Sequence, residues 1–231
     1  MASVGIAPSI GPRHRRHTRV ANAAQAPAPA RMRARRIVPP GATMFDALLV
    51  STGTVALAEI GDKTQLLALL LAARFRKPWP IVWGILVATL LNHALAGWLG
   101  AVAATWLTPG VLRWVVAASF IGIALWTLKP DTLEDDATVP ARGAFVATAI
   151  AFFIAEMGDK TQVATVLLGA RYEPLWEVVA GTTAGMLLAN VPVVLLGSRF
   201  AAKLPLKAAR ITAALVFLAL GLWVAVFGIG D

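Results

Sequence analysis

Four carboxylates and two lysines occur where the chain is otherwise apolar. The octapeptide AEIGDKTQ at 58–65 returns as AEMGDKTQ at 155–162, each copy in the middle of a long apolar run. Glu59, Asp62, Glu156 and Asp159, with Lys63 and Lys160, would then lie deep in a lipid bilayer. Ionisable residues there are expensive, and by default they mark an ion or proton pathway. On a helix, Glu59 and Asp62 are three residues apart and share a face, which Gln65 continues one turn on. Thr64 adds a hydroxyl oxygen. Gly61 costs ~1 kcal/mol in a helix interior relative to Ala, a cost with a purpose if the backbone loosens to offer carbonyls or lets a partner helix approach. The second copy repeats the set with Glu156, Gly158, Asp159, Thr161 and Gln162.

The donors on offer are carboxylate, amide, hydroxyl and backbone oxygens, and the chain has no cysteine. Such a hard oxygen set suits Mn²⁺, Ca²⁺ or Mg²⁺ rather than copper or zinc. Four carboxylates against two lysines leave a charge that one divalent cation neutralises. Without the cation, crowded carboxylates take up protons instead. A site that holds metal or protons, but not both, is the physical basis of an antiporter. The plainer alternative is a set of buried structural ion pairs, with Lys63 four residues after Glu59 in the favourable helical order. Two extra acids are not needed for that. The lysines on their own are read as counter-ions that tune the acids.

The elements that must place these residues are membrane helices. The chain is 58% hydrophobic and 14% charged, with mean hydropathy +0.72, against about 25% charged residues in a soluble domain. Six apolar segments, at about 45–73, 79–105, 111–128, 144–170, 175–198 and 210–229, are each near or above the ~20 residues that cross the hydrocarbon core. Trp79, Trp106, Trp114, Trp126 and Trp176 lie near the segment ends, as interfacial anchors do. The two motifs are offset by 97 residues, and the same offset carries Trp79 to Trp176, Gly84 to Gly181, Gly100 to Gly197, Arg113 to Arg210, Phe120 to Phe217 and Trp126 to Trp223.

This is an internal duplication: repeat 1 at 44–128, a linker at 129–142 and repeat 2 at 143–231. Each repeat holds three segments, an odd number, so a chain threading back and forth places the repeats in opposite orientations. The expected fold is therefore an all-α membrane protein of six transmembrane helices in two inverted three-helix repeats, with the motifs face to face at the midplane. Loop arginines and lysines place loops 1–2, 3–4 and 5–6 in the cytoplasm and both termini outside.

Residues 1–43 carry eight arginines and no acid, all but one unit of the +9 net charge. Their Ala/Pro/Arg composition predicts disorder. Three readings stay open: an untranslated stretch upstream of Met44, a juxtamembrane segment against anionic lipid, or an organellar targeting peptide. Nothing folded accompanies the charge, so a nucleic-acid partner is not expected. The expected partners are the bilayer and the transported ions, and association of copies with one another is compatible with the pattern.

Other polar residues within the segments carry less weight. Asn92, His93 and Asn190 are accessory candidates: a lone intramembrane Asn more often glues helices together than binds a ligand, and His93 could relay protons. Asp131, Glu134, Asp135 and Asp136 read as a solvated linker.

The doubled E-x-G-D-K-T motif, in the first and fourth of six predicted helices, resembles uncharacterised protein family sixteen, which includes Golgi-type and bacterial cation–proton exchangers. The resemblance covers about 44–231. It implies a secondary transporter, with no resident cofactor, that moves Mn²⁺ and in some members Ca²⁺ against protons. In bacteria this means manganese export through the plasma membrane. It carries the family's motif roles to Glu59, Asp62, Lys63, Thr64, Glu156, Asp159, Lys160 and Thr161. The arginine-rich extension departs from the family pattern. A 3 + 3 plan shared with small amino-acid exporters is a looser analogy. Two other functions compete: export of a small organic solute such as a basic amino acid, which the lysines disfavour, and an intramembrane aspartyl hydrolase using Asp62 and Asp159, which leaves the repeated Glu and Gln unexplained.

Overall fold

Two glycines decide where the helices stop. Gly61 and Gly158 adopt φ +82° and +75°, a left-handed conformation that ends a helix and that glycine adopts without steric cost. The computed structural model describes Ala2 and residues 45–129, 143–197 and 205–228. Every regular element among the described residues is helical: α1 (Asp46–Glu59), α2 (Lys63–Phe75), α3 (Pro78–Trp106), α4 (Pro109–Thr127), α5 (Ala144–Glu156), α6 (Lys160–Arg171), α7 (Leu175–Leu196) and α8 (Leu206–Phe227). All eight lie within the unit formed by residues 34–231.

The expected segments at 45–73 and 144–170 are therefore corrected. Each is two shorter helices, α1–α2 and α5–α6, broken inside the motif, because the left-handed glycine cannot continue a right-handed helix. The other four segments correspond to α3, α4, α7 and α8, which are long and apolar enough to cross a membrane. Proline at the first turn starts α3 and α4, where its missing N–H costs nothing. Apart from Ala2, the tail at 1–43 lies outside the described residues, as does the acidic run from Asp131 to Asp136.

Polarity is distributed as a lipid solvent requires. Leu91, Leu95, Trp98 and Leu99 of α3 are exposed, as are all five tryptophans named above, while the motif acids, Asn92, His93 and Asn190 are buried. Exposed large apolar side chains over a buried polar interior invert the usual soluble arrangement.

Packing follows the duplication. α1 lies along α7 and α5 along α3; α2 meets α7 and α6 meets α3. Shifting every partner by the 97-residue offset exchanges the two members of each pair. α3 also meets α7, and α4 packs along α8, where Phe120 and Phe217 stack with centroids 6.2 Å apart. These two phenylalanines are equivalent under the offset, so each touches its own counterpart in the other half of the sequence.

Glycine makes the closest crossings. A Cβ on Gly84 would lie 2.9 Å from the Phe145 carbonyl oxygen and 2.7 Å from Thr148 Cβ; one on Gly181 would lie 2.6 Å from the Leu48 carbonyl oxygen and 2.9 Å from Ser51 Cβ. The neighbours are themselves equivalent. At the end of α8, Arg113 donates to the Ala225 and Val226 carbonyls and Arg171 to that of Gly228. Two arginines thus serve the carbonyls that a helix C-terminus leaves without donors.

Gly181→Ala forces α1 away from α7, and a thermal unfolding comparison in detergent is expected to show a loss of about 1–3 kcal/mol. Gly122→Ala, whose Cβ meets nothing within 4 Å, is expected to leave stability unchanged or slightly raised in the same experiment.

Candidate cation site

The break in each motif sends its two acids to different helix ends. Glu59 closes α1 and Glu156 closes α5, while Asp62 and Asp159 stand at the N-caps of α2 and α6. The helical face expected for Glu59 and Asp62 is thus not what brings them together; the turn at 60–62 does. The aspartates gain from the positive helix ends beside them, and the glutamates sit at negative ends that favour a cation. Neither aspartate makes a side-chain cap hydrogen bond, and both face the lysine of the other motif.

Those contacts are reciprocal. Lys160 Nζ pairs with Asp62 Oδ1, and Lys63 Nζ lies 3.4 Å from Asp159 Oδ1. The Lys63–Glu59 pairing within one helix is therefore replaced by pairing across the repeats, because Lys63 begins α2 and Glu59 ends α1. The two pairs differ in surroundings: the Lys63 side chain is 30% exposed and that of Lys160 only 2%.

The threonines hold the glutamates. Thr64 Oγ1 donates to Glu59 Oε2 at 2.5 Å, and Thr161 Oγ1 to Glu156 Oε2 at 3.0 Å. The glutamine carbonyls brace the turns: Gly61 N–H donates to Gln65 Oε1 at 2.9 Å, and Gly158 N–H to Gln162 Oε1 at 2.6 Å. Their amide nitrogens reach the opposite repeat, Gln65 Nε2 to the Ala189 carbonyl at 3.1 Å and Gln162 Nε2 to Asn92 Oδ1.

Glu59, Asp62 and Asp159 each offer a carboxylate oxygen within 4.8 Å of the others. Glu156 lies outside this triad but interacts electrostatically with Asp159 and Asp62. Glu59 Oε1, Glu156 Oε1 and Asp159 Oδ2 are buried and accept no hydrogen bond among the described residues. Buried acceptors are ordinarily satisfied, so three unserved anionic oxygens around one cluster suit a hard cation.

The accessory candidates divide. Asn92 joins the motif through Gln162. Among the described residues Asn190 hydrogen-bonds within its own helix, its Nδ2 donating to the Met186 carbonyl at 3.1 Å. His93 is buried with neither ring nitrogen hydrogen-bonded among the described residues. Sequence reasoning missed Leu206, the first residue of α8, which lies against the first motif turn; a Cβ on Gly61 would be 3.1 Å from its Cδ2, whereas Gly158 has nothing within 4 Å. No pattern in the sequence marks it, since its equivalent under the offset is Pro109.

Comparison with known proteins places the whole span of the eight helices in one family. The family described as "Divalent cation/proton antiporter GDT1" matches residues 47–135 and 144–231, one match per repeat. A Vibrio cholerae protein named "Putative manganese exporter" is 56% identical over 185 residues, covering 80% of this chain and 92% of that protein. A GDT1-like protein of Synechocystis is 26% identical over 196 residues, covering 75% and 94%. No solved structure matches significantly.

Removing one partner of the buried pair leaves a charge uncompensated. Lys160→Met is therefore expected to cost about 3–5 kcal/mol in unfolding experiments. Lys63→Met, at the partly exposed pair, is expected to cost distinctly less.

Proposed function

We propose, from the premise that this chain belongs to the GDT1 family of divalent cation/proton antiporters, that it exports Mn²⁺ in exchange for protons. The family is one of transporters and not of enzymes, which removes the aspartyl hydrolase; organic-solute export also has no support from the relatives. Manganese is favoured over calcium by the name of the Vibrio relative. The observation that carries the reading is the buried triad of Glu59, Asp62 and Asp159, with carboxylate oxygens within 4.8 Å of one another.

In this reading α1–α2 and α5–α6 are two discontinuous spans that complete six with α3, α4, α7 and α8. Helices of 14, 13, 13 and 12 residues rise about 1.5 Å per residue, so each pair is long enough to cross. Broken helices whose ends meet at a cation are the usual construction where inverted repeats bind ions at the midplane. The reciprocal lysine pairs and the Phe120–Phe217 contact support that arrangement. The host membrane is the bacterial plasma membrane.

Mn²⁺ enters among Glu59, Asp62 and Asp159, with Glu156 completing the charge. The four acids less the two lysines leave −2, which the cation cancels. Once it departs, protons reduce the repulsion among the carboxylates and allow the empty site to return. Thr64 and Thr161 hold the two glutamates in place throughout, and Lys63 and Lys160 keep the aspartates from repelling one another.

Purified protein in proteoliposomes with an enclosed pH dye tests this directly. Mn²⁺ is expected to move one way as protons move the other, and Glu59→Gln and Asp159→Asn are each expected to abolish both movements while the protein remains monodisperse. Normal coupled flux in both variants would overturn the shared site.

A further inference from the structure

The two motif turns are held by different means. Each needs an acceptor in the opposite repeat for its glutamine amide nitrogen. For Gln65 the acceptor is a backbone carbonyl, that of Ala189 in α7. For Gln162 it is a side chain, Asn92 Oδ1 in α3. Asn92 and Ala189 are equivalent under the 97-residue offset, so the same position solves the problem once with backbone and once with an amide.

Asn92 also has a second contact. Near the end of α5 the Met157 N–H bonds to the Ile154 carbonyl, a tightened turn that withdraws the regular i−4 donor from the Phe153 carbonyl. Asn92 Nδ2 donates to that carbonyl at 3.4 Å. One buried side chain on α3 thus touches both sides of the break: α5 directly, and through Gln162 the Gly158 N–H beside Asp159.

We infer that Asn92 is a positioning residue for the second half of the cation site: it splints α5 to α6 through Phe153 and Gln162 and so fixes where Asp159 and Glu156 stand. It acts through Gln162 and does not ligate the ion. Among the described residues the first half has no such side chain, Ala189 standing at the equivalent position, so the two half-sites respond differently to change in α3 and α7. This rests on the motif cluster being the transported cation's site.

The test is a double-mutant cycle of Mn²⁺ uptake kinetics in proteoliposomes, using the full chain. Asn92→Ala is expected to raise the apparent KM for Mn²⁺ about tenfold, the usual scale for residues that orient metal ligands, with Vmax much less affected. Gln162→Ala is expected to do the same, and the double variant to be no worse than either alone. Asn92→Ser, which keeps an oxygen acceptor, is expected to recover part of the affinity, and it carries the cycle if the alanine variant does not fold. An unchanged KM in Asn92→Ala, or fully additive effects in the cycle, would overturn the inference. Glu59→Gln run alongside separates the two failures: active, it removes the site itself; inactive beside a normal Asn92→Ala, it removes only the role of Asn92.

Discussion

Like charges in a low dielectric are the constraint from which the rest follows. Carboxylate oxygens no more than 4.8 Å apart repel by roughly 3–4 kcal/mol per ionised pair even at an effective dielectric of about 20. Several such acids cannot be buried together without counter-charge. The protein supplies part of it as lysines, one from each motif, and directs each to the aspartate of the other. Two lysines against four acids leave the balance to a mobile cation or to protons. That deficit is more than a structural ion-pair network needs, and it is the charge basis of the proposed cation site.

Crossing the lysines requires the two motifs to face each other closely, and the helix packing achieves this by interleaving the repeats. α1 rests on α7 and α5 on α3, so the helix that ends in each motif glutamate is supported by the other repeat. Gly84 and Gly181 allow those contacts, since any side chain at either position would meet the opposing helix. Breaking the helices at Gly61 and Gly158 then brings helix ends to the cluster. Neither half builds a site alone.

Much of this was legible in the sequence. The duplicated motif, its offset and its apolar setting single out the acids that the fold brings together, and three of the six expected segments have the expected extents to within two residues, while the last helix starts four residues early, at Leu206. The break was only half legible. Gly61 and Gly158 signalled loosening, but apolar residues on both sides read as one continuous helix, because hydropathy measures burial in lipid and not hydrogen-bond direction. Intrahelical spacing therefore assigned Lys63 to Glu59, whereas the turn sends it to Asp159. Asn92 was visible as a buried amide, but its partners, Gln162 and the Phe153 carbonyl, depend on how α3 crosses the break, which no local pattern encodes. Asn190 shows the reverse: a similar residue at a similar depth bonds its own helix.

The departures from symmetry carry as much meaning as the symmetry. Lys160 is buried where Lys63 is partly exposed, and Leu206 covers Gly61 where Gly158 is uncovered. Unequal covers on equivalent turns distinguish the two sides of the cluster. The duplication provides two nearly equal turns built of the same parts. Asn92 limits that equality: it ties the second turn to α3 through a side chain, while the first turn leans on the backbone of α7. The two turns are therefore supported unequally, and the added side-chain contact lies at the turn that bears Asp159.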